Sequence, residues 1–182
     1  MEWLREMAES FALMGAFLYI AHPALYQAGR EVLRTIQDNP DLVKERTGVL
    51  EVLKFWTSPF SGYSVISNRF TPFHRDNYSR AQWYDFLATV GPYQGARLVF
   101  VNVGIEFQYN SGTLVALCGK IIRHGVTETT GDQVCIAQYM RDNVHARAKV
   151  KAPDWMSWGC HSSITGAWDP FSVMRDPYSL QR

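Results

Sequence analysis

The chain has 182 residues, 47% of them hydrophobic and 14% aromatic, and its formal net charge is +1. This composition excludes an intrinsically disordered chain and fits one compact domain, residues 1–182, with a sizeable core. The near-zero charge excludes strong overall attraction to a polyanion, so that a nucleic-acid partner must be held by a local patch. The scattered cysteines, Cys118, Cys135 and Cys160, predict reduced thiols rather than a disulfide framework.

Residues 1–58 predict a helical support. Apolar residues recur at steps of three and four in the first segment, which is the period of an amphipathic helix: Trp3, Leu4, Met7, Phe11, Met14 and Leu18. Pro23 ends this helix because the residue before a proline is disfavoured in the α region. A second helix is predicted over 23–37 and a third over 48–56. The apolar stretch 11–21 is too short to span a bilayer, so no membrane partner is predicted.

From Ser64 onward the pattern changes to short β-rich runs separated by turns. Many short strands with regular turns are typical of a sandwich or barrel, and eight or so in two Greek keys form a jelly roll. We therefore predict an α+β fold with a jelly-roll core over residues 59–147 and the N-terminal helices packed on its outside. The predicted strands are 64–67, 83–90, 97–103, 105–109, 113–118, 121–126 and 133–140.

Residues 148–182 lose this rhythm and form a predicted tail. Its tryptophans, Trp155, Trp158 and Trp168, lie among Gly, Ser and Pro. We expect them to pack on the barrel, with a binding arm as the alternative.

A short motif, His74-Arg75-Asp76, and a single downstream histidine, His124, carry the most specific chemistry. Two imidazoles and one carboxylate form the facial triad of non-haem Fe(II) sites, which leaves positions open for a co-substrate and O₂. The motif alone also fits a loop acid beside a surface histidine. The spacing to His124 and the strands between them favour the metal site, at strand ends that line the mouth of the barrel.

The motifs extend well beyond these three residues. Asn68 to Asp76, then Trp83-Tyr84-Asp85, then Gly119 to Val126, then Cys135 to Asp142 form a pattern that resembles the Fe(II)/2-oxoglutarate dioxygenases of the TET/JBP kind. The resemblance is to the transposon-associated type of mushroom-forming fungi and covers roughly residues 60–147. It implies a double-stranded β-helix, Fe(II) and 2-oxoglutarate as cofactors, O₂ as co-substrate and DNA as partner.

On this resemblance His74, Asp76 and His124 are the catalytic iron ligands. The far carboxylate of 2-oxoglutarate needs a cation, but the usual position at the start of the last strand is the uncharged Gln133. By the period of two, Arg141 shares a strand face with Gln133 and is the predicted anchor; the alternatives are contact with the substrate base and a plain surface arginine. Asn68 either offers an amide to the metal-bound carboxylate or satisfies a turn.

Three further residues are predicted to contact substrate: Tyr139, Asp85 and Arg75. Tyr139 either stacks on a flipped base or packs in the core, which is the commoner role of a strand tyrosine. Asp85 is either a substrate contact or a polar residue at a strand end. Basic residues near the ligand motifs are candidates for phosphate contacts: Arg69, Arg75, Arg80, Lys120 and Arg123. His22, His145 and His161 lack a partner pattern, and Cys160-His161 lacks the second ligand pair of a zinc site.

The resulting prediction is a nuclear enzyme that oxidises 5-methylcytosine in DNA to 5-hydroxymethylcytosine and further. Three alternatives stay open at this point. One is an N6-methyladenine demethylase, since the same chemistry on an N-methyl group releases formaldehyde. The second is a catalytically inactive jelly-roll binding module, which the uncharged Gln133 favours slightly. The third is a hydroxylase of a protein or small molecule.

Overall fold

A computed structural model of the protein describes residues 1–44, 46–68, 70–157 and 159. Predictions made for Arg69, Trp158, Cys160, His161 and Trp168 lie outside the described residues. The described part combines helices with antiparallel sheets, which agrees with the predicted α+β class.

Helices occupy the N-terminal third, as predicted, and one follows the last strand. They are α1 (Glu2–Glu6), α2 (Ala8–Ala21), α3 (Pro23–Asp38), a 3-10 turn (Pro40–Leu42), α4 (Arg46–Leu53) and α5 (Asp142–Ala148). The predicted first helix is divided at Met7, and nothing in the sequence explains the division. Pro23 begins α3, where His22 Nδ1 accepts a hydrogen bond from the Leu25 amide at 3.3 Å. No described helix is both long enough and apolar enough to cross a membrane.

Each predicted β run contains a strand, but most strands are shorter than predicted. Three strands were not predicted, because β2 contains Pro72 and β4 and β9 have only two residues each. The strands are β1 (Gly62–Ser67), β2 (Thr71–His74), β3 (Asp85–Val90), β4 (Tyr93–Gln94), β5 (Arg97–Phe100), β6 (Ile105–Gln108), β7 (Leu114–Leu117), β8 (His124–Val126), β9 (Thr130–Gly131) and β10 (Val134–Tyr139).

The strands form two four-stranded antiparallel sheets and a two-stranded ribbon. The first sheet has the order β1-β10-β3-β7, the second has the order β2-β8-β5-β6, and β4 pairs with β9. Side chains from β1, β3 and β10 of the first sheet line one cavity together with side chains from β2 and β8 of the second. The two sheets therefore face each other across this cavity.

The helices cover the face of the first sheet that points away from the cavity, as predicted. Phe86 of β3 and Met140, just after β10, join one apolar cluster with helix residues such as Leu18. Ile136 of β10 packs in a second cluster with Phe11 of α2. Because side chains alternate along a strand, burying Phe86 and Ile136 under the helices directs their neighbours into the cavity.

Candidate metal centre and its cavity

Two neighbouring strands and one loop bring the three predicted ligands together. His74 is the last residue of β2 and pairs across the second sheet with His124, the first residue of β8. Asp76 lies two residues beyond β2, and its amide donates to the Gly119 carbonyl at 3.0 Å. One ligand atom from each of the three side chains lies within 4.8 Å of the others. This group could hold a metal ion.

The distances fit ligands that share an ion better than ligands that bond to one another. His74 Nε2 lies 3.7 Å from Asp76 Oδ1, and His124 Nε2 lies 3.6 Å from Asp76 Oδ2. Both separations are too long for a good direct hydrogen bond. The carboxylate thus faces both imidazoles at a spacing that leaves room for a cation among them.

Backbone carbonyls fix which ring nitrogen of each histidine faces Asp76. His74 Nδ1 lies 2.8 Å from the Pro72 carbonyl, and His124 Nδ1 lies 2.9 Å from the Ile122 carbonyl. A carbonyl only accepts, so each Nδ1 carries a proton, and in the neutral ring the lone pair lies on Nε2, the nitrogen that faces Asp76. Burial also lowers the pKa of His124 and favours its neutral form. Neutral imidazole is the state that binds a metal ion, so the donor set fits Fe(II).

Gly119 leaves space for the carboxylates of Asp76 and Asp85 beside the three predicted metal ligands. A Cβ atom built on Gly119 would collide with Asp76 Oδ2 and would lie 2.5 Å from Asp85 Oδ2. Any larger residue would therefore displace one of the two acidic side chains. Sequence reasoning placed Gly119 within a motif but gave it no role, because the close approach arises only when the loops meet.

The cavity next to the triad has a volume of about 190 Å³. The sequence predicted that alternate residues of β10 share one face, and the structure confirms this. All five line the cavity: Gln133, Cys135, Ala137, Tyr139 and Arg141. The strand register divides the cavity into two ends. We call the end with His74, Asp76, His124, Asp85 and Arg141 the metal end, and the end with Gln133, Tyr109 and Cys135 the glutamine end.

Asp85 lines the metal end and is only 4% exposed. Its Oδ1 accepts a hydrogen bond from the Ser79 hydroxyl at 3.1 Å, while its Oδ2 has no hydrogen-bond partner among the described residues. Burial, reinforced by the negative charge of Asp76, raises the pKa of Asp85 to about 7. The Ser79 hydrogen bond and the charge of Arg141 oppose this shift. Asp85 is thus a buried acid close to the metal group, rather than only a polar strand end.

Arg141 is the one Lys or Arg among the described residues that lines the cavity. Its guanidinium lies over the Tyr139 ring at 4.0 Å and near the Tyr78 ring at 5.4 Å. Its charge also acts on Asp85. Arg141 is therefore a half-buried cation at the metal end, away from Gln133.

Gln133 and Asn68 lie at the other end of β10 from Arg141. Gln133 lines the cavity, and its amide donates to the Thr89 hydroxyl at 3.1 Å. Asn68 does not line the cavity and has a positive φ of 49°. The Asn68 side-chain oxygen accepts from the Gln133 backbone N–H at 2.7 Å, and its side-chain nitrogen donates to the Asp132 carboxylate at 2.9 Å. The position of Asn68 favours the turn interpretation over contact with a metal-bound carboxylate.

The other predicted substrate residues differ in position. Tyr139 lines the cavity, and its hydroxyl lies 3.1 Å from the Ser64 hydroxyl. Arg75 is exposed outside the cavity, and its Nε donates to the Ile121 carbonyl at 3.1 Å.

The remaining described candidates for phosphate contacts also lie outside the cavity. Arg80 pairs with Asp142 at 2.5 Å, and Lys120 donates to the Asn77 carbonyl at 2.8 Å. Arg123 is exposed as well.

Sequence reasoning missed several cavity residues. Ser79 and Tyr109 line the cavity although neither belongs to a predicted ligand motif. Tyr109 is fully buried, and its hydroxyl lies 3.5 Å from Cys135 Sγ. The only available signal was that Tyr109 is an aromatic residue at the end of a predicted strand, which fits a core residue equally well.

The two buried histidines left unassigned by the sequence lie outside the cavity. His22 caps α3, and His145 lies against the Trp83 ring at 4.5 Å between ring centres. Burial lowers the pKa of both, and that of His145 to about 4.

Comparison with known proteins gives one family. The profile of the Tet_JBP family, described as the oxygenase domain of the 2-oxoglutarate/Fe(II)-dependent dioxygenase superfamily, matches residues 2–142. A comparison with curated proteins finds no match to the chain. The matched range includes both sheets, the three grouped ligands and Arg141. Membership implies Fe(II) and 2-oxoglutarate as cofactors and an oxidoreductase activity. The chain belongs to the TET/JBP family of oxygenases.

Proposed function

We propose that this protein oxidises the methyl group of a methylated base in DNA, with 5-methylcytosine converted to 5-hydroxymethylcytosine and further. One observation carries the proposal: His74, Asp76 and His124 meet at a cavity within a TET/JBP oxygenase domain. The intact ligand group opposes an inactive binding module. From the motif pattern we further propose the transposon-associated fungal type and a nuclear location, where its DNA substrate would be.

We infer that the two sheets form a double-stranded β-helix, the jelly roll expected from the sequence. Eight strands divide equally between two facing antiparallel sheets, with the β4–β9 ribbon as an addition. The ligands occupy strand ends and the adjoining loop at one end of the cavity. This arrangement places two of the three ligands on paired strands and leaves the exposed His74 side of the group open to substrate.

The three ligands would hold Fe(II) through His74 Nε2, His124 Nε2 and the Asp76 carboxylate. Bound together, Fe(II), 2-oxoglutarate and O₂ supply an oxidant that inserts one oxygen atom into a substrate C–H bond, while 2-oxoglutarate loses CO₂ to become succinate. The carbonyls of Pro72 and Ile122 select the tautomer in which the lone pair lies on Nε2 and is available to the metal. The hydrogen bond from the Asp76 backbone N–H to the Gly119 carbonyl holds the main chain from which the carboxylate projects.

We assign Arg141 to the far carboxylate of 2-oxoglutarate. A buried carboxylate needs a cationic or strongly hydrogen-bonding partner, and Arg141 is the cation that the described cavity wall offers. Its stacking on Tyr139 orients the guanidinium. The competing site is the glutamine end, where Gln133 and Tyr109 supply neutral hydrogen-bonding groups.

We assign Asp85 and Tyr139 to the substrate base. Both line the cavity beside the metal group, where a flipped base must enter. A buried acid can recognise the amino edge of a base, and an aromatic ring can stack on its face. Arg75 lies outside the cavity, so its proposed contact is with the DNA backbone rather than with the base.

Mass spectrometry of nucleosides tests the proposal directly. The protein is incubated with duplex DNA that carries 5-methylcytosine and N6-methyladenine, together with Fe(II) and 2-oxoglutarate, and succinate is measured in parallel. We expect 5-hydroxymethylcytosine and its further oxidation products, and none from an Asp76→Ala variant. Loss of N6-methyladenine with formaldehyde release and unchanged cytosines would favour the demethylase alternative. Failure to turn over either base would reject the proposed function and favour a different substrate or the inactive binding module.

A further inference from the structure

An exposed aromatic ring stands at the mouth of the cavity. Tyr78 is 76% exposed, more than any other large hydrophobic side chain of the described residues. It lies two residues after Asp76, in the turn that joins β2 to the segment before β3. Exposed single aromatic residues are common, so the inference depends on the position of Tyr78 and not on its exposure alone.

The backbone that carries this ring is held on several sides. The Asp76 amide donates to the Gly119 carbonyl, and the Ser79 amide donates to the Asp76 carbonyl at 3.3 Å. Lys120 Nζ donates to the Asn77 carbonyl at 2.8 Å. The turn is thus fixed to the loop before β8, while the Tyr78 ring projects into solvent with the Arg141 guanidinium 5.4 Å from its centre.

A groove leads from this ring into the metal cavity. It shares Ser79 and Arg141 with the cavity, and its remaining lining consists of Asn77, Tyr78, Lys120, Asp142 and Asn143. Its one carboxylate, Asp142, is paired with Arg80 at 2.5 Å. The groove therefore offers two cations, two side-chain amides and an aromatic ring. Phosphates and bases of a nucleic-acid strand bind groups of these kinds.

We propose that Tyr78 stacks into the DNA at the place vacated by the target base, and that Lys120 contacts a neighbouring phosphate. This inference rests on the proposed function and extends it to how the base leaves the helix. Extrusion breaks the stacking of the target base with its neighbours, and an aromatic ring inserted there restores part of it. The fixed turn places the ring beside the entrance, so the extruded base has only the groove to cross.

A Tyr78→Ala variant, assayed on two substrates, tests the role of the ring. One substrate carries the methylated base in a fully paired duplex, and the other carries it in a single strand of the same sequence. We expect kcat/KM to fall about 10-fold or more on the duplex and less than about 3-fold on the single strand, because only the duplex requires extrusion. Tyr78→Trp should retain duplex activity. Phe17→Ala, which removes an exposed aromatic ring on α2, is the matched control.

Lys120→Gln tests the phosphate contact. The variant should bind both DNA forms more weakly, and the slope of log K against log salt should become shallower by about one. Lys54→Gln, at an exposed lysine directly after α4, should change neither quantity. Affinity and salt slope equal to those of the unsubstituted protein would remove Lys120 from the proposal.

The outcomes separate this inference from the proposed function. Two results would overturn the stacking role while the proposed function stands, both in a case where the unsubstituted protein oxidises DNA. In the first, Tyr78→Ala loses the same fraction of activity on the duplex and on the single strand. In the second, Tyr78→Ala loses activity on neither substrate. If the unsubstituted protein oxidises neither DNA substrate, the proposed function fails and this inference fails with it. A 2-aminopurine beside the target base gives a separate readout, since its fluorescence should change less on binding of Tyr78→Ala than on binding of the unsubstituted protein.

Discussion

The two ends of the cavity are lined by polar side chains of different kinds. The metal end gathers ionisable groups, with Asp85 and Asp76 near each other and Arg141 close enough to act on Asp85. The glutamine end is held by a chain of neutral hydrogen-bonding groups. The Gln133 side-chain amide donates to the Thr89 hydroxyl, which lies 2.9 Å from the Tyr93 hydroxyl. The Tyr93 hydroxyl in turn donates to the Tyr109 carbonyl at 2.6 Å.

Because of this difference, the metal end should determine binding and chemistry, and the glutamine end should contribute to stability. Buried charges are costly unless a ligand or counter-ion compensates them, so a cluster of them is maintained at a cost to stability. A satisfied neutral network has no such cost and makes one end of the barrel rigid. Substitutions at the metal end should therefore change binding and pH dependence, whereas those at the glutamine end should change stability alone.

The largest effect is expected from His74→Ala. Removing one of three ligands should abolish turnover and greatly weaken metal binding. The side chain is exposed at the cavity mouth, so the melting temperature of the metal-free protein should stay close to that of the unsubstituted protein. Calorimetric titration with Mn(II), as a redox-stable substitute, and nucleoside mass spectrometry measure the two losses. Asp132→Asn, an exposed acid at the far end of β10, is the control. Retained metal affinity in His74→Ala would show that another group binds the ion.

The next effect concerns the 2-oxoglutarate anchor. Arg141→Ala should raise the KM for 2-oxoglutarate about 100-fold, since removing a charged partner of a buried carboxylate typically costs a few kcal/mol. Affinity for DNA should change much less. Arg141→Lys should recover part of the loss, because it restores the charge without the bidentate geometry. A loss of DNA affinity with unchanged dependence on 2-oxoglutarate would reassign Arg141 to the substrate.

A pH effect is expected from Asp85→Asn in the metal-free protein. Asp85 ionises near pH 4 when unfolded and near pH 7 when folded, so its contribution to stability is present below pH 4 and is lost as the pH rises through 7. The asparagine has no proton to lose. The stability of Asp85→Asn relative to the unsubstituted protein should therefore increase by about 3 kcal/mol between pH 5 and pH 8.

Urea unfolding of both proteins in the presence of a chelator, at pH 5 and pH 8, measures this change. Taking the difference between the two proteins cancels the opposite pH dependence of the buried histidines, whose lowered pKa values reduce stability as the pH falls. Equal differences at both pH values would show that Asp85 is solvated in solution.

The sequence predicted those parts of the site that depend on strand periodicity and motif spacing. The β10 face from Gln133 to Arg141 follows from alternation alone, and His124 is the first residue of a strand in an apolar run. Contacts between loops could not be predicted from the sequence. The position of Gly119 beside Asp76 and Asp85 depends on how two loops meet, which no local pattern encodes.

Helix α5 was missed for a similar reason. These residues lie where the predicted jelly-roll core gives way to the predicted tail, and a seven-residue helix is marginal by its own propensity. Its formation depends on packing, since Ala148 is buried against Val32 and Ile36 of α3. β2 was missed because Pro72 reads as a loop, although the strand pairs with β8 and places His74 opposite His124.

The smallest effect is expected at the glutamine end, from Gln133→Leu. This substitution removes the hydrogen bond to Thr89, but the Thr89 hydroxyl keeps its contact with Tyr93, so the free energy of unfolding should fall by only about 1 kcal/mol. No ionisable group is lost, so the loss should be equal at pH 5 and pH 8, in contrast to Asp85→Asn. Metal affinity should be unchanged, and the KM for 2-oxoglutarate should rise far less than in Arg141→Ala. A rise in that KM matching or exceeding the Arg141→Ala effect would move the far carboxylate of the co-substrate to the neutral end. Hydrogen bonds from Gln133 and Tyr109 would then replace the ion pair proposed here.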